Sequence, residues 1–203
     1  MSKKFWNKWF TLIELMVAIL VFTIWFLSAY LLLFQAINSS ITSKNEIISA
    51  NIAREQIELV KNLRDTNFLK YNNWDKVDSA LASSTWTFWN IPYFTIENNF
   101  SNLDNPIKIN ILPSDFDGSK NKILTNSKVE LCIDNNSRYV HCEPWLAKTQ
   151  FYSFIKISPL NTKNTANTVI PVANWYLVES VVANTQKWYR EFKINTIITN
   201  WRK

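Results

Sequence analysis

The strongest constraint on this chain is an apolar run near its amino end. Between Leu15 and Phe34 only Thr23 and Ser28 are polar, and about 20 apolar residues are what a helix needs to cross a hydrocarbon core of roughly 30 Å. A secretory signal peptide has a shorter apolar region, about 7–15 residues, which ends at a small-x-small cleavage site. No such site follows here. The run therefore predicts a membrane-spanning helix that stays with the protein.

An acid, Glu14, stands at the start of this run. An ionised carboxylate costs at least about 2.5–3.5 kcal/mol at the centre of a membrane helix, so it normally has a partner or a role. Glu14 lies only about 6 Å along the helix axis from Phe10, where an acid also suits the helix dipole. The residues alone therefore allow two interpretations: a first-turn position near the interface, or a bond to a cation delivered at the same depth.

The residues around this acid resemble a known signal. A short leader with Lys3, Lys4 and Lys8 precedes Phe10-Thr11-Leu12-Ile13-Glu14, and the apolar run follows directly. This arrangement resembles the class III signal of type IV pilins and the related pseudopilins, and the apolar context that the motif requires is present.

The resemblance implies a set of partners and site residues. Prepilin peptidase, a membrane aspartic peptidase, would cleave between Trp9 and Phe10, and the new amino terminus at Phe10 would be methylated. Glu14 would become the fifth mature residue and would pair with the terminal amine of a neighbouring subunit during assembly. The remaining implied partners are other pilin subunits, the inner-membrane assembly platform and membrane lipid.

One residue departs from the family pattern, because the family places Gly immediately before the cleavage point and this chain has Trp9. At the usual Gly frequency of about 7%, a chain of this length would hold about 14 glycines, but it holds one, together with ten Trp. Some bacterial lineages read the codon UGA as glycine, and a translation that assigns UGA to tryptophan would produce this pattern; the alternative is a domain that is simply rich in Trp. The recoding hypothesis keeps Trp74 and Trp201 as true tryptophans. It places glycine at Trp6, Trp9, Trp25, Trp86, Trp89, Trp145, Trp175 and Trp188.

The charge distribution predicts an orientation and no specific nucleic-acid partner. The net charge is +6, but removal of the three leader lysines leaves 19 basic against 16 acidic residues, a weak bias. Lysines on the short amino-terminal flank mark the cytoplasmic side. The expected protein is a single-pass cytoplasmic-membrane protein with its globular domain outside, destined for an extracellular pilus or a periplasmic pseudopilus. Basic residues near the carboxyl end, which could favour DNA but more often form a solvated face, are Lys187, Arg190, Lys193, Arg202 and Lys203.

Beyond Phe34 the apolar residues continue as a stripe. No Pro or Gly interrupts the chain from Phe10 to Arg64, so the spacing of three, four and seven predicts one continuous helix that ends near Asp65-Thr66-Asn67. The predicted organisation is a cleaved leader at 1–9, a transmembrane and assembly helix at 10–37, an amphipathic continuation at 38–64 and a β-rich globular domain at 65–203. The stripe consists of Phe34, Ile37, Ile41, Ile48, Ile52, Leu59 and Leu63.

The rest of the chain predicts an α+β fold, in which an antiparallel sheet covers the helix. Asn135-Asn136 is expected to form a tight hairpin turn, Asn161–Asn167 a polar loop and Asn184–Lys187 a second hairpin turn. The predicted strands cover residues 87–97, 107–112, 128–134, 138–142, 151–158, 176–183 and 189–199.

Two cysteines and one histidine are the main candidates for chemistry. Cys132, His141 and Cys142 are too few ligands at the wrong spacing for a structural zinc site, and a lone histidine in a strand is usually structural. In an oxidising compartment Cys132 and Cys142 are a possible disulfide pair. A two-residue turn at Asn135-Asn136 would place Cys132 opposite Tyr139, however, so the bond requires a bulge or a bend.

Asp115 and Asp117, two residues apart and followed by Gly118, are a weak candidate for calcium binding. Some pseudopilins bind calcium in a loop of the globular domain, but the glutamate that closes an EF-hand loop is missing here. Asp-Gly is also a common turn. We find no nucleophile–base arrangement, phosphate loop or cofactor motif in the chain, and we expect no enzymatic activity.

The sequence thus predicts a prepilin that is processed and polymerised into a type IV pilus or pseudopilus. The alternative is a permanently anchored surface binding protein or adhesin that does not polymerise and that retains residues 1–9.

Overall fold

One long helix, α1, runs from Leu12 to Leu69 in the computed structural model. The structure describes residues 12–70, 73–76, 87, 91–99, 106–163 and 169–200. Neither Pro nor Gly occurs in α1, so no residue of the helix removes a backbone hydrogen bond or favours a break. The chain divides into two compact units, and α1 contributes to both: the first unit ends at Asn45 and the second begins at Glu46.

The carboxyl end of α1 lies beyond the predicted end at Asp65-Thr66-Asn67. The Asn67 side-chain amide donates hydrogen bonds to the carbonyl oxygens of Trp74, at 3.3 Å, and Lys76, at 2.9 Å. Phe68 stacks on Trp74 with ring centroids 6.3 Å apart. These contacts hold the last turn in place, so the helix continues to Leu69.

The described part of the second unit contains seven strands and one short helix. The sequence predicts neither a helix nor a strand for the polar stretch that forms α2, at Lys120–Thr125. The strands are β1 (Tyr93–Asn98), β2 (Ile107–Ile111), β3 (Glu130–Ile133), β4 (Tyr139–His141), β5 (Ala147–Lys163), β6 (Val169–Asn184) and β7 (Arg190–Thr199).

All strand pairs of the sheet are antiparallel. β6 lies between β5 and β7. The other edge of β5 pairs with two strands. Its first part pairs with β3, which in turn pairs with β4. Residues Ile155 and Lys156 pair with β1, which in turn pairs with β2. The helix followed by an antiparallel sheet confirms the α+β prediction.

The main core lies between the second part of α1 and one face of the sheet. Val60 and Leu63 of α1 pack among Phe94, Ile155 and Tyr176, all of them buried. A neighbouring cluster brings helix residues together with the β3 end of the sheet, and it contains Ile52, Ala53, Leu131, Phe151 and Val182. Burial of these apolar side chains is the main contribution to the stability of this unit.

A smaller core covers the opposite face of the sheet. Because successive residues of a strand point to opposite faces, Phe154 and Val181 lie on the face away from Ile155 and Val182. They pack with Phe116 and with Ile123 of α2. The segment that contains α2 therefore closes the second face of the sheet.

Three predicted strands differ clearly from the structure in length. β5 and β6 are much longer than expected, since their mutual pairing continues to Lys163 and Val169. On the β5 side it enters the predicted polar loop Asn161–Asn167, of which residues 164–167 lie outside the described part. Conversely, β1 begins only at Tyr93. Of the residues before it, Thr87 forms an isolated bridge with Lys76.

Candidate functional site

The first unit presents an apolar helix surface. All its large apolar side chains from Leu12 to Phe34 are exposed, and α1 is, within the described ranges, the helix that is long and apolar enough to cross a membrane. The two polar residues of the run are satisfied inside the helix. The Thr23 hydroxyl donates to the Ile19 carbonyl at 2.6 Å, and the Ser28 hydroxyl donates to the Ile24 carbonyl at 2.8 Å. The surface can thus be buried in lipid or against other helices without leaving these hydroxyls unpaired.

Glu14 lies in the first turn of α1. It is the only charged residue between Leu12 and Ser43, and its position at the amino end of the helix lets the helix dipole stabilise the carboxylate. The two residues of the predicted cleavage and methylation site, Trp9 and Phe10, lie outside the described residues.

A disulfide links Cys132 and Cys142 of the second unit, whose Cα atoms lie 4.9 Å apart. The hairpin that brings the cysteines together differs from the predicted two-residue turn. Ile133 faces Tyr139 and Cys132 faces Val140, which moves the pairing by one residue and places both cysteines on one side of the hairpin.

The sequence of the loop explains this register. Asp134 closes the ladder by donating its N–H to the Arg138 carbonyl at 3.0 Å, and the Asp134 carboxylate accepts hydrogen bonds from the backbone N–H groups of Asn136 and Arg138. Ser137 takes a left-handed conformation with φ 60°. A three-residue loop that ends in such a residue is a common hairpin connection, and the Asp134 side chain stabilises it here.

The carboxylates of the two candidate calcium ligands, Asp115 and Asp117, already bind donor groups of the same chain. The Asp115 carboxylate forms an ion pair with Lys122, and the Asp117 carboxylate accepts the Ser119 N–H at 2.8 Å. These contacts lower the pKa of each carboxyl group. Gly118 has φ +74°, as a turn that favours glycine requires. In the part of the chain that the structure describes, no group of three or more His, Cys, Asp or Glu side chains forms a metal site.

His141 belongs to a partly buried polar cluster that the sequence did not predict. Its backbone N–H donates to the Glu97 carboxylate at 2.8 Å, and Lys108 bridges Glu97, at 3.0 Å, and Glu143, at 3.3 Å. The imidazole is buried, and desolvation lowers its pKa to about 4. His141 and Glu97 line a cavity of about 340 Å³ between α1 and the strands, together with apolar residues such as Ile52.

A second unpredicted polar contact joins the helix to the sheet. The Gln56 side chain donates to the Ser153 hydroxyl at 2.8 Å and accepts from the Ser180 hydroxyl at 2.7 Å. All three side chains are buried. Little in the sequence marks Gln56, because it is one of three polar residues between Ala53 and Ile57, and its serine partners lie far away in the chain.

Two of the basic residues near the carboxyl end, Arg190 and Lys193, form ion pairs with acids. Arg190 pairs with Glu46 at 3.3 Å, and Lys193 pairs with Glu191 at 2.7 Å. Arg202 and Lys203 lie outside the described residues.

In the comparison with protein families, residues 10–30 match the prokaryotic N-terminal methylation motif. No curated protein and no solved structure matches the chain. The matched segment includes Glu14 and most of the apolar run, so the motif lies on the exposed apolar helix of the first unit. A single helix of this kind behind such a signal indicates a membrane-anchored, single-pass protein. The chain thus carries at its amino end the class III signal of type IV pilins and pseudopilins.

Proposed function

We propose that this protein is a prepilin, a structural subunit that prepilin peptidase cleaves between residues 9 and 10 and that polymerises through α1 into a type IV pilus or pseudopilus. The observation that carries the proposal is the methylation motif at residues 10–30, which coincides with an exposed apolar helix whose sole charged residue before Lys44 is Glu14. The protein has a structural role and no enzymatic one.

Assembly transfers the apolar helix from lipid to a filament core. Side chains such as Phe22 and Leu32 are exposed in the isolated chain, and they find equivalent apolar surroundings in the bilayer and among neighbouring helices. The transfer therefore gains little from the hydrophobic effect, and helix association depends on packing and polar contacts. Glu14 supplies such a contact when it binds the amine of Phe10 on a neighbouring subunit, a cation at the same depth in the membrane.

The second unit lies outside the cytoplasm in this proposal. The leader lysines keep the amino end inside, and the chain crosses the membrane once. The Cys132–Cys142 disulfide suits an oxidising compartment on the far side. The predicted limits of the membrane segment, residues 10–37, belong to this proposal.

A second candidate function is a permanently anchored surface binding protein. Trp9, where the family signal has glycine, favours it, because a bulky residue before the cleavage point would block processing. Such a protein would retain residues 1–9 and would not need Glu14 for its function.

Substitution of Glu14 tests the proposal against this candidate. We expect Glu14→Gln and Glu14→Val to lower the yield of sheared surface filaments at least about tenfold, since loss of a contact worth about 1.4 kcal/mol per subunit already gives that factor. The membrane level of the protein should stay unchanged. Glu58→Gln is the matched control, because Glu58 is an exposed helix acid that pairs with Lys61. Equal filament yields from Glu14→Gln, Glu58→Gln and the parent chain would contradict the proposal.

A further inference from the structure

The tryptophans that the structure describes in the second unit occupy two kinds of environment. Trp74 is 9% exposed, stacks on Phe68 and lies 5.6 Å from Tyr176 between ring centroids. Trp145, Trp175 and Trp188 are 76%, 44% and 71% exposed. Because tryptophan has the largest apolar side chain and usually gains stability from burial, three exposed indoles beside one buried indole are unusual.

Trp145 occupies a turn position that accepts glycine. The Leu146 N–H donates to the Glu143 carbonyl at 3.0 Å, so Pro144 and Trp145 are the two central residues of a four-residue turn. Pro-Gly in these two positions is one of the strongest turn signals. A large side chain at position 145 contributes nothing to the core.

Trp175 pairs with Thr199 of β7 but lies beside an irregularity in the β5–β6 pairing, and Trp188 lies in the connection between β6 and β7. Trp175 follows Asn174, which has φ 63°, and the pairing of β5 with β6 shifts nearby, between Pro159 and Asn161. Glycine at 175 would create Asn-Gly, a common pair at such irregularities. Trp188 lies in the connection that the closing pair of Asn184 with Arg190 encloses, and a glycine within three to five residues between two strands is a hairpin signal.

We propose that positions 145, 175 and 188 are glycine in the protein that its own cell makes, because UGA codons there are read as glycine, whereas position 74 is tryptophan. The exposure of the three residues, the turn or loop positions of Trp145 and Trp188 and the pairing irregularity near Trp175 support this assignment, together with the composition of one Gly and ten Trp in 203 residues. Positive φ angles in the described residues occur at Gly118, Ser137 and Asn174. The backbone at the three sites therefore accepts glycine without demanding it.

The inference is independent of the proposed function, since the three positions lie in the second unit. It also has a consequence for that unit. With glycine at these positions, the exposed indole rings that would otherwise offer stacking surfaces for a ligand are absent.

The coding sequence gives the first test. We expect UGA at positions 145, 175 and 188 and UGG at position 74. UGG at the three exposed positions would overturn the proposal outright.

Peptide mass spectrometry of the protein from its native cells gives the second test. Peptides that cover positions 145, 175 and 188 should have glycine masses, and the peptide that covers Trp74 should have a tryptophan mass. A tryptophan mass at any of the three exposed positions would overturn the proposal. Because these peptides are internal, the result does not depend on whether the leader is removed or filaments form.

The folded chain supplies a matched control. In the detergent-solubilised full-length protein, the combined change Trp145→Gly, Trp175→Gly and Trp188→Gly should alter the melting temperature by less than about 4 °C, whereas Trp74→Gly should lower it by about 10 °C or more. Trp74→Phe, which keeps an aromatic ring against Phe68, should lie between the two. A larger loss from the triple change than from Trp74→Phe would show that the exposed tryptophans are structural, and it would contradict the assignment.

Discussion

Gln56 fixes the position of α1 on the sheet through two buried hydroxyl groups. Its amide contacts Ser153 of β5 and Ser180 of β6, so a rotation or shift of the helix would leave three polar groups unpaired. Such pairing in a buried environment favours one packing over alternatives. Sequence periodicity placed Ile52, Leu59 and Leu63 correctly on the buried face. It could not identify Gln56, because the partners are brought together only by the fold.

We expect Gln56→Leu to lower the free energy of unfolding of the second unit by about 2–4 kcal/mol, since it leaves two buried hydroxyls without a partner. Chemical denaturation of the detergent-solubilised chain measures the change. Removing both hydroxyls as well, with Ser153→Ala and Ser180→Ala, should restore part of the loss. Failure of the triple variant to regain any stability over Gln56→Leu would argue against the hydrogen-bonded bridge.

His141 should make the second unit sensitive to acid. Its pKa is lowered from 6.5 to about 4, mainly by desolvation, with a smaller opposing effect of Glu97. The unfolded chain therefore binds a proton near pH 6.5 that the native protein takes up only near pH 4. Stability is highest above pH 6.5 and falls as the pH decreases toward 4, by up to about 3 kcal/mol.

Denaturation curves between pH 7 and 4 for the parent chain and His141→Gln provide the measurement. The carboxyl groups that also titrate in acid, such as those of Asp115 and Asp134, are the same in both proteins, so the difference isolates the histidine. An identical pH dependence of the two proteins would exclude His141 as its source.

At the scale of elements, the length and type of α1 and most strand positions were predictable. A continuous helix followed from the absence of Pro and Gly, and strands such as β2 and β7 followed from their β-branched and aromatic residues. The ends were less predictable, because long-range contacts determine them. The Asn67 and Phe68 contacts extend α1, and the mutual pairing of β5 and β6 extends both strands into polar sequence.

The β3–β4 hairpin shows the same limit at the scale of a turn. The dipeptide Asn135-Asn136 suggested a two-residue connection, but the Asp134 side chain stabilises a three-residue loop. This single-residue difference decides which residues of the hairpin face each other, and it removes the objection to a bond between Cys132 and Cys142.

We expect the disulfide to stabilise the second unit by about 3 kcal/mol, the chain-entropy value for a closed loop of about ten residues. The paired change Cys132→Ser and Cys142→Ser should lower the free energy of unfolding by that amount. Peptide mapping without reductant should recover the two cysteines in one linked peptide. A reductant should destabilise the parent chain and leave the double variant unchanged, and an unaltered parent chain would contradict this expectation.

At the scale of the whole molecule, the two units have different origins of stability. The second unit has its own core on both faces of the sheet, whereas the first is an apolar helix with no buried side chain between Leu12 and Phe34. The motif at residues 10–30 was visible in the sequence because it depends on adjacent residues. The polar cluster around Glu97 and His141 was not, because it joins strands that are distant in the chain.

The most direct test of the proposed function is the mass of the amino-terminal peptide from filaments sheared off native cells. A processed subunit gives a peptide that begins at methylated Phe10 and is recovered in the sheared surface fraction. A chain that retains residues 1–9 and is found only in membranes would contradict processing and polymerisation, and it would leave the anchored binding protein as the better explanation.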